Sequence, residues 1–185
     1  MSDRDADLPP DTRVARSRLI APVGGFAPYV GALLSMMRLV RQDTLALARG
    51  ISNEELADRR EGTKNTIGML LSHVAALECI TVLRHLERRD PTDEERAWLQ
   101  PRMELGHAGF AVLRTVSGAE IEEDLRRTRA SLERSLLKID DAAFGEPFLW
   151  RGVEVNMHRQ VFHVMEDELR HVGQIRWLLK RMRGE

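Results

Sequence analysis

The segment His163–Ile175 reads HVMEDELRHVGQI and predicts a long amphipathic helix near the end of the chain. Apolar residues recur in and around it at helical spacing: Val161, Val164, Met165, Val172, Ile175, Leu179 and Met182. Four polar residues fall within an arc of about 80° on a helical wheel: His163, Asp167, His171 and Gln174. This arc borders the apolar stripe, so we expect Asp167 and His171 to point toward the interior of the fold or its mouth.

Asp167 and His171 are candidate metal ligands. They stand at positions i and i+4, roughly 6 Å apart along the helix axis, and their side chains can converge on one ion. A carboxylate and an imidazole at this spacing are a common half-site for a divalent transition metal. His163 lies roughly 12 Å from His171 along the axis. The third ligand is therefore expected from another part of the chain.

Length and composition restrict the class of protein. The 185 residues are enough for one domain, predicted over residues 18–185, after a charged tail at residues 1–17 predicted to be disordered or loosely attached. A net charge of −1 gives the protein no excess of positive charge with which to bind nucleic acid. The single cysteine, Cys79, excludes an internal disulfide and favours a reducing cytoplasm. We find no signal peptide and no apolar run of bilayer length, so no membrane association is expected.

The rest of the pattern predicts an all-α chain organised as a four-helix bundle. Long helices are predicted at about 28–50, 65–89, 118–139 and 155–183, with capping boxes at Ser52 and Ser117. Residues 90–117 form a long connection with one short predicted helix, at 92–99, and such a connection typically crosses over the bundle or lines a site. In the third helix, charged residues including Arg129 are expected to face outward. Residues 140–152 are predicted to be irregular.

His73 is the candidate third ligand. It lies in the middle of the second helix, which is apolar nearly all the way round, and a buried imidazole needs partners for both ring nitrogens. If the second and fourth helices are neighbours, His73 can meet Asp167 and His171 and form a site for Zn²⁺, Ni²⁺ or Fe²⁺ with an open position. The alternatives are a core histidine with satisfied hydrogen bonds, or a buried salt-bridged cluster without metal.

His73, together with Asp167-x-x-x-His171-x-Gly173-Gln174-Ile175, resembles the DinB-like (YfiT-like) superfamily over residues 30–185. The resemblance implies an up-up-down-down four-helix bundle with a long crossover between helices two and three, often a homodimer. It also implies a metal bound by one residue of helix two and two of helix four. Asp167 stands where a histidine is usual, which resembles the mycothiol-dependent branch. The implied activity is a low-molecular-weight-thiol S-transferase or a hydrolase, with mycothiol or bacillithiol as the thiol and a small-molecule substrate.

Glu168 leaves an alternative open. It lies nearer the centre of the apolar arc than Asp167 does. One alternative is that Glu168 and His171, at i and i+3, are the ligand pair. The other is that Glu168 is a hydrogen-bond partner of a ligating imidazole. In the enzyme hypothesis, Glu168 or His163 assists proton transfer. The second functional hypothesis is a non-catalytic, stress-related bundle whose metal is structural.

Overall fold

A computed structural model describes residues 19–60 and 62–184; the predicted tail at 1–17 lies outside the described residues. Over this part the chain is mostly helical, as predicted. The helices are α1 (Pro28–Arg49), α2 (Asn53–Ala57), α3 (Ile67–Thr81), α4 (Asp93–Met103), α5 (His107–Leu113), α6 (Gly118–Leu136), α7 (Asp141–Gly145) and α8 (Met157–Arg183). A π-helical turn, Val82–Leu86, extends α3. The predicted connection contains two helices, α4 and α5, rather than one.

Capping residues define the ends of the long helices. Thr66 caps α3 by accepting a hydrogen bond from the backbone N–H of Met69. The predicted capping boxes at Ser52 and Ser117 are both formed, the first at α2 and the second at α6. Asn156 caps α8 through Arg159. Each cap satisfies a backbone donor that has no partner within the first helical turn.

The four long helices form the bundle, in which α1 and α3 each pack against both α6 and α8. α1 runs antiparallel to α6, because Arg38 pairs with Glu133 whereas Arg49, at the other end of α1, pairs with Glu122. α8 runs parallel to α1, because the side chain of Arg183, at the end of α8, donates to the carbonyl of Gly50 that follows α1.

The predicted up-up-down-down order is wrong, and the contacts give up, down, down, up. Gly68 at the start of α3 packs against the carbonyl of Leu56, just after α1, so the chain reverses between these two helices. Gly68 also lies against Val116, just before α6, so α3 and α6 begin at the same end. A chain that leaves α3 must return along the bundle to start a parallel helix. The predicted long crossover is therefore present, and α4 and α5 form it.

Buried charges separate the two larger of the three apolar clusters in the described part of the core. One cluster contains Leu70, Leu125 and Ile175, and the other contains Met37, Leu132 and Val161. Between them each long helix contributes one buried charge, and we call these four residues the charged layer: Arg41, Glu78, Arg129 and Glu168.

The charged layer is a closed network of ion pairs. Arg41 Nε lies 2.8 Å from one oxygen of Glu168, and its Nη2 lies 3.1 Å from Glu78. Arg129 Nε lies 2.6 Å from Glu78 and its Nη2 lies 3.4 Å from Glu168. Arg129 is only 6% exposed, so the outward orientation predicted for it is wrong. A guanidinium enters the core here because two carboxylates balance the two arginines.

α3 with its π-helical turn, Ile67–Leu86, is long and apolar enough to cross a membrane, although no such run was expected from the sequence. Most of this segment is buried by the neighbouring helices. That burial fits the core helix of a soluble bundle, in which all sides of a central helix are apolar.

A short helix, α7, and a hairpin precede α8, where residues 140–152 were predicted to be irregular. Strands β1 (Phe148–Trp150) and β2 (Val153–Val155) pair antiparallel, with Trp150 opposite Val153. The two loop residues, Arg151 and Gly152, have φ of 51° and 79°. Positive φ at both positions is the feature of a type I′ turn, which matches the twist of the two strands.

Candidate metal centre

His73 is held in a fixed orientation by the crossover. Its Nδ1 lies 2.9 Å from the backbone carbonyl oxygen of Arg102, in α4. A carbonyl oxygen only accepts hydrogen bonds, so the Nδ1–H donates to it and Nε2 carries the free lone pair. Nε2 faces α8, where it lies 3.8 Å from Oδ2 of Asp167.

His171 is held in the same manner by its own helix. Its Nδ1 lies 2.9 Å from the side-chain oxygen of Gln174, one turn along α8. Its Nε2 therefore faces Asp167 and lies 3.2 Å from Oδ2. The two imidazole rings meet edge to face, with 5.2 Å between their centroids.

The structure brings His73, Asp167 and His171 together. One ligand atom from each lies within 4.8 Å of the others. Two ligand atoms on the same Zn²⁺ are separated by up to about 4 Å, so the side chains are close to the spacing of a closed site. All three side chains are largely buried, with 9 to 17% of their surface exposed.

Asp167 Oδ2 carries the strongest indication of a cation. It is buried and accepts no hydrogen bond, although it faces the Nε2 atoms of both histidines. A buried carboxylate oxygen without a partner is costly. An ion bound to the three side chains would satisfy that oxygen and both ring nitrogens. The N,N,O donor set also suits Zn²⁺, Ni²⁺ or Fe²⁺, and the residues present therefore fit a divalent metal.

The electrostatics of the three groups are coupled. Burial lowers the pKa of His73 below its ordinary value, and the opposing effects of the Arg102 carbonyl and Asp167 do not reverse this. Burial acts in the same direction on His171, but the neighbouring carboxylate of Asp167 and the side chain of Gln174 outweigh it and raise the pKa. Burial would raise the pKa of Asp167, yet the neighbouring imidazoles lower it. Asp167 is therefore ionised at neutral pH, as a metal ligand must be.

The other two predicted site residues lie outside this group. His163 is 38% exposed, and its Nδ1 lies 3.3 Å from Glu166 on the surface of α8. Both oxygens of Glu168 contact the guanidinium of Arg41 in the charged layer. The rival pair of Glu168 and His171 is not assembled. A role for Glu168 or His163 in proton transfer stays a prediction.

Two contributors to the site were not predicted in these roles. Gln174 belongs to the polar arc seen in the sequence, and its i, i+3 spacing from His171 is the signal that it can hold the ring. The carbonyl of Arg102 has no sequence signal, because any residue offers a backbone oxygen. Only the path of α4 across the bundle brings it to His73.

The fold is similar to that of known proteins. The fold is similar to that of a DinB-like protein from Bacillus cereus, with a TM-score of 0.63 and 14% identity over 83% of this chain and 91% of the other. A conserved protein from Enterococcus faecalis is also similar, with a TM-score of 0.66 and 13% identity over 83% of this chain and 96% of the other. No curated protein sequence matches the chain. The family model of the DinB superfamily matches residues 36–175. Because that match covers more than half of the sequence, the chain belongs to the DinB superfamily.

Proposed function

We propose that the chain binds one divalent metal ion through His73, Asp167 and His171. The observation that carries the proposal is the buried oxygen of Asp167, which accepts no hydrogen bond and faces two Nε2 atoms. Both Nδ1 positions are already occupied by hydrogen bonds, as is usual for histidines that ligate metals. Zn²⁺ and Ni²⁺ are the ions proposed.

We further propose that the site is catalytic and acts as a low-molecular-weight-thiol S-transferase or as a hydrolase. A divalent metal with an open position lowers the pKa of a bound water or thiol. The hydrogen bonds of Arg102 and Gln174 fix the orientation of the two imidazoles. Asp167 leaves the set of three ligands with one negative charge, which partly neutralises a dication. Mycothiol or bacillithiol is the proposed thiol, on the strength of the carboxylate at position 167.

The alternative is a structural metal. The three ligand side chains connect α3 to α8, and His73 is also tied to the crossover through Arg102. A metal at this junction would link three parts of the bundle. In that case, removing the ion would lower the melting temperature by several degrees, and no thiol or ester turnover would be found with any thiol.

Metal content, measured by mass spectrometry on tag-free protein, tests the binding. We expect about one metal per chain in the wild type and none in His73→Ala or His171→Ala. His107→Ala is the matched control, because His107 is exposed on α5 outside the site. Retention of stoichiometric metal by His171→Ala would contradict the assignment. Thiol-transferase and hydrolase assays on the metal-loaded protein then distinguish the catalytic from the structural role.

The homodimer implied by the family resemblance and the cytoplasmic location expected from the single cysteine also remain proposals. The outer face of α8 carries exposed apolar side chains, among them Phe162, Leu169 and Trp177, which recur at helical spacing. Such a stripe supports association of two copies. Sedimentation velocity of the wild type beside Leu169→Glu tests this, and a monomeric wild type at micromolar concentration would contradict it.

A further inference from the structure

A cleft lies between the π-helical turn and the hairpin, at the far end of α3 from the metal centre. We call it the hairpin cleft. It consists of two adjoining cavities of about 280 and 380 Å³ that share the side chains of Arg84, Arg88 and Trp150. His85, beside them, is twelve residues from His73 along the helix, roughly 18 Å. The cleft is therefore separate from the candidate metal centre.

Aromatic rings form one wall of the smaller cavity. The His85 ring lies 4.6 Å from the Trp150 ring, edge to face, and 6.0 Å from Phe148. Met157, at the start of α8, completes the apolar lining. Burial, together with the charge of Arg84, keeps the pKa of His85 below its ordinary value. The imidazole is thus neutral at neutral pH and packs as an aromatic ring.

Two arginine side chains, Arg84 and Arg88, also line both cavities. Neither side chain makes a hydrogen bond or ion pair within the described part of the chain. Arg151 lies over the Trp150 ring, 5.5 Å from its centroid. Arg89 differs, because Glu87 and Glu95 neutralise it. The lining of the smaller cavity includes no acidic residue.

The backbone supplies independent support. Arg88 and Arg151 have φ of 52° and 51°, and they are the two non-glycine residues with positive φ among residues 19–60 and 62–184. Arg88 follows the C-cap of the π-helical turn, and the N–H of the next residue, Arg89, bonds to the carbonyl of Leu83. Glycine is the preferred residue at such a helix end, and asparagine or glycine at the first position of a type I′ turn. Arginine is strained at both, and strained residues cluster at ligand sites.

We propose that the hairpin cleft binds a small aromatic anion. The planar ring would lie against Trp150, Phe148 and Met157, and its carboxylate or phosphate would accept hydrogen bonds from Arg84 and Arg88. Charge-assisted hydrogen bonds from guanidinium groups are the usual means of holding such an anion. The smaller cavity, at about 280 Å³, is close to the lower limit of volume for ligand pockets. It therefore has room for a single ring system.

Isothermal titration calorimetry with phenyl phosphate tests the proposal, using the full chain at low ionic strength in EDTA. EDTA keeps the probe from binding through a metal. We expect Arg84→Gln and Arg88→Gln each to weaken binding about tenfold, the loss of one charge-assisted contact. Arg176→Gln, which removes an exposed charge from α8, is the matched control and should bind like the wild type. His171→Ala should also bind like the wild type, since it alters only the metal centre.

Two further probes separate the contribution of the aromatic ring to binding from that of the negative charge. Inorganic phosphate and benzyl alcohol should each bind at least tenfold more weakly than phenyl phosphate. Arg88→Gly relieves the positive φ, so it should keep or raise the melting temperature while weakening the binding, which excludes misfolding as the cause. The proposal is overturned if phenyl phosphate does not bind at millimolar concentration, if Arg84→Gln and Arg88→Gln bind like the wild type, or if either fragment probe binds as tightly.

Discussion

Glu168→Gln tests the role of the charged layer most directly. The two oxygens of Glu168 receive three guanidinium contacts, from Arg41 Nε at 2.8 Å, Arg41 Nη2 at 3.1 Å and Arg129 Nη2 at 3.4 Å. A glutamine has the same shape but only one acceptor oxygen, and its NH₂ group would face a donor. The four residues would also carry an uncompensated positive charge in the core.

The magnitude follows from the burial. Glu168 is 0% exposed and Arg41 is 4% exposed, so water cannot solvate the charge that is left. Breaking a buried ion pair by removing one partner costs about 3 to 5 kcal/mol. For a domain of this size the melting temperature should fall by roughly 6 to 20 °C, at about 2 to 4 °C per kcal/mol. This is a large fraction of a typical stability of about 5 to 15 kcal/mol.

Thermal unfolding followed by circular dichroism, together with urea titration, measures the effect. Glu166→Gln is the matched control, since it makes the same change two residues away at a surface ion pair with Arg170, and solvent screening should make its effect on stability small. Glu168→Gln combined with Arg129→Gln should be less destabilised than the sum of the single variants, because neutrality is restored. If Glu168→Gln costs no more than Glu166→Gln, or if the double variant is additive, our reasoning about the charged layer is refuted. Metal content retained by folded Glu168→Gln would agree with its position outside the metal centre.

Three other predictions concern the metal centre and the crossover. Gln174→Ala removes the acceptor that orients His171 and should weaken metal binding about 10- to 100-fold, as measured by competition with a chelator. Metal affinity should also depend on pH, because a metal must displace the proton of His171, whose pKa is raised. The affinity should therefore fall as the pH decreases through that pKa, and it should level off at higher pH. Zn²⁺ titrations between about pH 5.5 and 8 check this, and a flat profile would contradict it. Gly109→Ala would drive a Cβ into the carbonyl oxygen of Glu104 and should destabilise the crossover by about 1 to 3 kcal/mol in urea unfolding, whereas Gly145→Ala, which has open space around it, should have little effect.

Local patterns in the sequence predicted the four long helices and two of the three residues of the metal centre. The capping signals at Ser52 and Ser117 identified true helix starts, because a cap depends on residues only three apart. Asp167 and His171 could be paired for the same reason, since helical geometry alone places them one turn apart. His73 could be added only by assuming that its helix and α8 are neighbours, and the structure places it 3.8 Å from Asp167.

These local patterns could not predict the relative directions of the helices or which charged residues are buried in the core. Arg129 was expected in solvent because its neighbours along α6 are charged. The sequence around it does not show that Glu78, on another helix of the bundle, is its ion-pair partner. Arg41 and Glu168 are 127 residues apart in the chain. The reversal of α3 relative to α1 is seen only in contacts between segments, such as that of Gly68 with the carbonyl of Leu56.

The sequence by itself therefore determined the α-helical class, the approximate bounds of the four long helices and the i, i+4 pair of Asp167 and His171, because these depend on interactions within a few residues. Only the tertiary structure decided which helices are neighbours, which charges are buried together, and that a carbonyl of α4 orients His73. These properties arise from contacts between distant segments, whose geometry is set by the packing of whole helix faces rather than by any local pattern.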